Sequence, residues 1–303
     1  MALTQVSPGL LDSNAQYYSF KNRIINGAMM IDQRNAGASQ TVSSGSIVYT
    51  LDRWLVYTGG SSVTSQRTGS AGSYALQITG NTGNTGIQVL QRIEANNIAD
   101  TASQQVTLSF TISSSTLSIV GAFYNTPTAT DNFSSLSSTG TISGSIPVTS
   151  TPTRQSVTFS MPSTATNGFQ FFFQTGAFTS GTLVITGVQL EKGSTATSFD
   201  YRPYGTELSL CQRYYQSCLR SGTNYVLGAG GRGSGGGAPN SIDAIISLPV
   251  QMRTAPTIAV PTVTNGYFAY NTSAGTTLTN SDRKSTRLNS SHLGISYAVF
   301  CLK

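Results

Sequence analysis

Residues Gln105–Ile112 read QVTLSFTI, which puts Val106, Leu108, Phe110 and Ile112 on one side of an extended chain and Gln105, Thr107, Ser109 and Thr111 on the other. A period of two marks a strand with one face buried and one in water. The same alternation recurs at Val157, Phe159 and Met161 in SVTFSM. In LVITGVQL the phase set by Leu183 and Ile185 shifts at Gly187 to Val188 and Leu190, which predicts a bulge or bend. Further strands are expected at Ile47–Tyr57, Ser73–Thr79, Ile87–Glu94, Leu117–Tyr124, Ile142–Val148 and Phe169–Gln174, separated by turn text such as GNTGNTG and PTATDN. About nine strands without helical spacing or a blade-length repeat define an all-β chain, a jelly-roll-like β-sandwich over residues 23–202 behind a polar arm at 1–22.

Composition agrees with strands. Only 9% of residues are charged, against about 25% in an ordinary soluble domain. Gly, Ser, Thr and Asn supply the polarity instead, and these residues favour turns and strand faces over surface helices. The first residues, MALTQVSPGLLDSNAQYY, lack a basic segment followed by an apolar stretch. No run approaches the ~18 apolar residues of a membrane span, so neither a signal peptide nor membrane insertion is expected. The formal charge of +6 is spread along the chain without a Lys/Arg cluster interleaved with aromatic residues, so nucleic acid is not an expected partner.

One helix interrupts the strands, over residues 203–222. Thr206 after Pro203 is the expected N-cap, Glu207 lies in the first turn and Gly222 is the stop. Leu208, Cys211, Tyr215 and Cys218 follow the 3-4-3 spacing of a short seam, which packs either on its own domain or along an oligomer axis. Cys211 and Cys218 stand two turns apart on that helix, too far for a disulfide. Beyond it, SLPVQMRTAPTIAVPTV and YFAYNT predict a small C-terminal β unit over 223–281. The text then changes abruptly. Residues 282–303, DRKSTRLNSSHLGISYAVFCLK, back-translate in register into something that resembles a common sequencing adapter, with Leu293 and Gly294 in the place of its barcode. The natural chain is therefore expected to end near Ser281, with the β unit truncated.

The suspect segment carries the only histidine, His292, and Cys301. Without it, His-based acid-base, nucleophilic and metal chemistry lack their main ingredient, and no enzyme activity is expected. The remaining carboxylates form no D-x-D or E-x-x-E arrangement, although a glycosidase pair can converge from distant residues such as Glu94, Asp100 and Glu191. Asp32, Glu191 and Asp200 near the sandwich ends could share a structural Ca²⁺; no other cofactor is expected. Gly228–Gly233, GAGGRG, matches a dinucleotide fingerprint in letters only, because low-complexity text and no helix follow it. Trp54, flanked by Leu51, Leu55 and Val56, is expected in the core, whereas Tyr49, Tyr57 and Tyr124 are the candidate sugar-stacking residues.

Three stretches carry a family resemblance: NRIINGAMMIDQRN (Asn22–Asn35) with YTLDRW (Tyr49–Trp54); QRIEANNIADTASQQVTLSF (Gln91–Phe110); and GVQLEKGSTATSFDYRPYGTELSLCQRYYQ (Gly187–Gln216). Together they resemble phage tail-fibre or minor-tail proteins with a carbohydrate-binding-module-like jelly roll. The resemblance implies a non-enzymatic host-adhesion component of the virion, made in the host cytoplasm and usually trimeric. Its partners would be a bacterial surface glycan and other tail proteins. A tail-associated polysaccharide depolymerase and a secreted cellular carbohydrate-binding protein are the alternatives.

Overall fold

Strand pairing is antiparallel throughout the described residues of the computed structural model, which are 20–217, 243–256, 268–271, 276–279, 286–288 and 292–296. The chain divides into two units, Met1–Glu207 and Leu208–Lys303. In the first, the strands are β1 (Gln40–Val42), β2 (Ile47–Leu51), β3 (Trp54–Gly60), β4 (Val63–Thr68), β5 (Ala75–Thr79), β6 (Asn84–Ile93), β7 (Gln105–Ser114), β8 (Ile119–Asn125), β9 (Gly140–Pro147), β10 (Thr153–Ser160), β11 (Phe169–Gln174) and β12 (Thr182–Lys192). A first six-stranded sheet has the order β1-β4-β5-β12-β7-β10 and a second the order β2-β3-β6-β11-β8-β9. Most connections change sheet, so the winding is that of a jelly-roll-like β-sandwich.

The alternation in β7 is realised as expected, with Val106, Leu108, Phe110 and Ile112 buried between the sheets. Facing them from β3 and β11 are Trp54, Phe171 and Phe173, each at most 1% exposed. Trp54 meets Phe171 edge-on at 5.8 Å and Phe110 meets Phe173 at 4.6 Å. Burying each such side chain contributes about 1.5–3 kcal/mol, and the edge-on pairs add a fraction more. The predicted bulge is present: Thr186 pairs with Thr111 and Gln189 with Ser109, so Gly187 and Val188 together oppose Phe110.

Elsewhere the strand assignment changes. Ile47–Tyr57 is a hairpin rather than one strand, with Leu51 paired to Trp54 across Asp52 and Arg53. Arg53 holds the turn at φ 71°, a conformation usually left to Gly or Asn, which is why the turn has no signature in the sequence. Strands β1 and β4 are additions to the expected set.

The family-like stretches meet at one end of the sandwich in a buried polar hub. Asn26 accepts from Ile31 N at 2.9 Å and donates to the carbonyls of Ile31 and Asp52 at 2.8 and 2.9 Å. Trp54 Nε1 donates to the Asn26 carbonyl at 2.9 Å, and Gln91 exchanges two bonds of 2.9 Å with the backbone of Ile25. Arg202 binds the carbonyls of Ile24 and Asn22 and pairs with Glu207, which also accepts from Asn26 N. Gly27 lies so close to the bulge that a Cβ there would stand 2.1 Å from the Val188 carbonyl oxygen. Of the next residues, Met29 is buried in the core between the sheets, while Ala28 and Met30 border a cavity on the first sheet.

The helix α1 runs Tyr204–Gln212, shorter than the expected 203–222 and starting ahead of Thr206. Glu207 N bonds to the Pro203 carbonyl at 3.1 Å, since proline presets the first turn. At the other end Tyr214 N closes on Cys211 at 2.9 Å. Tyr215 therefore lies beyond the helix, so Leu208, Cys211 and Tyr215 do not share one helical seam; Cys218 lies outside the described residues. Cys211 and Tyr215 are nevertheless buried.

In the second unit β13 (Asp243–Ser247) pairs with β17 (His292–Ser296), which pairs with β16 (Thr286–Leu288). A separate hairpin joins β14 (Phe268–Asn271) to β15 (Thr276–Thr279). The adapter-like text thus supplies two of these strands. The GAGGRG stretch lies outside the described residues. Among them no helix is long and apolar enough to cross a membrane.

Candidate functional site

Each sheet has an outward face, and period-two geometry decides what it presents. On the second sheet, cross-strand pairing places Tyr49, Leu55, Leu90, Phe172 and Phe123 in one row over five strands. Leu55, Leu90 and Phe172 are buried, and Tyr49 and Phe123 at the ends are half-buried. Phe123 stacks on Phe172 at 5.7 Å, and the Arg34 guanidinium lies 4.9 Å from the Tyr49 ring centre. The next row carries Tyr57, Gln88 and Gln174, the two glutamines bonded at 2.8 Å. In the third, Arg92 Nε donates to Gln170 at 2.9 Å. This face closes on itself.

On the first sheet the outward positions of β7 are Thr107, Ser109, Thr111 and Ser113, small hydroxyl residues that leave room above the strand. A cavity of about 550 Å³ opens there. Its floor is made by β7, β10 and β12, and its walls by Ala28 and Met30, the Gly72–Tyr74 loop, and Phe199 and Tyr201. Tyr201 is 57% exposed, with its hydroxyl 3.1 Å from Met30 Sδ. Tyr74 carries Arg67 over its ring at 4.5 Å, and its carbonyl accepts from the Thr186 hydroxyl at 2.6 Å.

Arg154 reaches into this cavity across the bulge. Its guanidinium donates to the Gly187 carbonyl and, at 2.7 Å, to Ser109 Oγ. Gly187 has φ +58°, and a Cβ there would lie 3.1 Å from Arg154 Nη1 and 3.8 Å from Thr111 Oγ1. The bare backbone of the bulge is what makes space for the guanidinium. Burial pushes the Arg154 pKa below its ordinary value, opposed by the Glu191 charge; an arginine so placed remains cationic. Among the described residues, no Asp or Glu lines the cavity.

The predicted site residues fall in different places. Tyr49 and Tyr57 share the outward face of the second sheet, in adjacent rows. Tyr124 does not join them: it points inward and stacks on Phe169 and Phe159 at 5.5 and 6.2 Å, which removes it as a sugar platform. The proposed Ca²⁺ ligands are also not brought together. Asp32 accepts from the backbone of Asn35 and Gly37 at 3.1 and 2.7 Å, and Asp200 accepts from Asn22 N at 3.2 Å. Glu191 is held by Gln189 and Thr197 at 2.6–2.9 Å. Each carboxylate serves a local backbone or side-chain donor, and among the described residues no group of three possible ligands could hold a metal. Of the other carboxylates, Asp100 is paired to Arg23 at 2.7 Å. The cavity residues Tyr74, Tyr201 and Arg154 escaped the sequence reading because they come from separate loops and strands with no common motif.

No family model matches the chain, and no curated protein matches it. Solved structures do. The enzymatically active domain of bacteriophage CBA120 tailspike protein 4 is similar over 57% of this chain, at 15% identity and a TM-score of 0.37, and the match spans 22% of that protein. A family 4 carbohydrate-binding module is similar over 55% of this chain and 98% of its own, at 16% identity and a TM-score of 0.34. The xylan-binding CBM22-1 domain from Paenibacillus barcinonensis is similar over 51% of this chain and 99% of its own, at 14% identity and a TM-score of 0.33.

Proposed function

We propose that the sandwich is a non-enzymatic glycan-recognition module of a phage tail fibre, and that the cavity over the first sheet holds the sugar. The observation that carries this reading is the cavity itself: about 550 Å³, within the range of small-ligand sites, with tyrosines in its walls and hydroxyl side chains on its floor. Aromatic rings stack on the C–H faces of a sugar, while hydroxyls and a guanidinium exchange hydrogen bonds with its hydroxyls. A single site of this kind binds weakly, and several copies on one virion raise the avidity by orders of magnitude, about 10²–10⁴-fold. The phage assignment is supported by the Asn22–Asn35, Gln91–Phe110 and Gly187–Gln216 stretches. In this reading the protein is a homotrimer that assembles with other tail proteins, and residues 282–303 are translated adapter.

A bacterial glycan array probed with the multimerised full-length chain tests recognition: binding is expected, and it should fall at least tenfold in Tyr201→Ala. An array with no bound glycan removes the recognition role and leaves a structural one. Light scattering should give the mass of a trimer; a monomer rejects that assignment. Amplifying the gene from source DNA across codon 282 decides the adapter reading, which fails if the same codons are found there.

A further inference from the structure

Charge is distributed unevenly between the cavity and the rest of the sandwich. Two ion pairs of the sandwich, Arg23 with Asp100 and Arg202 with Glu207, lie elsewhere. Among the described residues, Arg154 donates to neutral acceptors, the Gly187 carbonyl and the Ser109 hydroxyl. The carboxylate whose field reaches it is Glu191, and both Glu191 oxygens are already bound by Gln189 and Thr197. A guanidinium has five N–H donors in one plane, and two bonds leave others for a ligand. Around it, Thr111 and Ser113 also line the cavity. The wall thus offers a fixed cation, hydroxyl side chains and tyrosine rings, and the one carboxylate whose field reaches the cation, Glu191, stands outside the lining with its oxygens turned to Gln189 and Thr197.

We propose that the cavity takes a carboxylate-bearing sugar, of the uronic or nonulosonic acid class, with the carboxylate on Arg154 and the ring against Tyr74 and Tyr201. This rests on the glycan reading above and adds to it the class of sugar. The geometry has three parts. Gly187 and Ser109 fix the guanidinium, so little side-chain freedom is lost when the ligand arrives. Arginine and carboxylate form paired, charge-assisted hydrogen bonds that a neutral hydroxymethyl group cannot replace. The tyrosines then restrict the ring that carries the acid, which separates a sugar acid from a free small anion.

The test compares acidic glycans with their own carboxyl-reduced forms, on one array, using the full-length chain. Galacturonic-acid oligosaccharides and sialylated oligosaccharides are the probes, alongside acidic bacterial capsule fragments. The expected result is binding to carboxylated members, a loss of at least tenfold on carboxyl reduction, and weakening as salt is raised. Arg154→Met should lose the same factor and Arg154→Lys part of it. Tyr201→Ala, at an exposed position, should lose binding to acidic glycans with an unchanged melting temperature, which guards against an Arg154 variant that fails to fold. Equal binding of native and reduced glycans, or binding unaffected by Arg154→Met, overturns the acidic-sugar inference and leaves glycan recognition standing. Binding of sodium acetate or glucuronate monomer as tightly as the oligosaccharides, unaffected by Tyr201→Ala, reduces the site to an anion site and overturns it too. No binding to any glycan rejects both readings.

Discussion

On the second sheet, Leu55, Leu90 and Phe172 stand in one outward row and are buried; on the first, Thr111, Ser113 and Thr186 look outward into an open cavity. Each face hangs on an antiparallel ladder of six strands, and side-chain volume separates them. Large apolar residues in adjacent strands fill the space over one sheet and contribute to stability. Small hydroxyl residues leave room for a cavity over part of the other sheet, and the bulge at Gly187 widens it and brings in a charge. One face is thus expected to govern whether the protein folds and the other whether it binds.

The sharpest way to break that contrast is Phe172→Ala. It should destabilise the sandwich by about 3 kcal/mol, as large-to-small changes at buried aromatic positions do, with the urea midpoint falling and glycan affinity unchanged in the folded fraction. A variant that kept its stability would show the apolar row to be an open surface. Gly187→Ala comes next. A side chain at φ +58° costs about 1–2 kcal/mol, and here it also meets Arg154, so both the urea midpoint and the affinity for acidic glycans should fall.

A smaller effect distinguishes the faces by pH. Asp52, in the β2–β3 turn, is 1% exposed; burial raises its pKa, against the hydrogen bonds from Gln33 and the Arg34 charge, with Asp32 adding to the rise. A raised value means the folded state holds its proton more tightly than the unfolded chain. The Asp52 contribution to stability is therefore full below the unfolded carboxylate value, about 3.9, and is lost as pH rises through the folded one. Subtracting Asp52→Asn from the parent across that window should reveal the decline; a flat difference would mean that Asp52 stays charged at no penalty. Arg154 supplies no such dependence, because it stays cationic. Smallest of all is Tyr201→Ala, expected within about 0.5 kcal/mol of the parent in stability while binding is lost.

Much of the sandwich was legible in the sequence because its strands alternate cleanly. Val106 to Ile112 set the phase, and the slip from Ile185 to Val188 located the bulge. Trp54 was legible as core from its apolar neighbours. The β2–β3 hairpin was not, since its turn is Asp52-Arg53 and lacks the glycine or asparagine that usually signals φ > 0. Phe171, Phe172 and Phe173 held a signal that went unused: consecutive residues in a strand must face both ways, so a run of three phenylalanines places at least one outside. Tyr124 was misplaced because alternation fixes which residues share a face and leaves open which face is the core. The cavity was beyond reach for a different reason. Its parts come from residues 28–30, 72–75, 111–113, 152–154, 184–187 and 199–201, and only the folded topology brings them together.

The hub at the end of the sandwich sets a timetable for synthesis. Asn22 bonds to Val188 across 166 residues and Asn26 to Glu207 across 181. Contacts so distant in sequence form late, because the loop between them must first be ordered. On the ribosome, the segment from Asn22 to Met30 emerges early and meets Asp52, Trp54 and Gln91 first, but its docking is completed only after β12 and Glu207 have cleared the exit tunnel. The last wall of the cavity, at Ala28 and Met30, is set in place by that same docking, so a nascent chain acquires its sheets before it acquires its site.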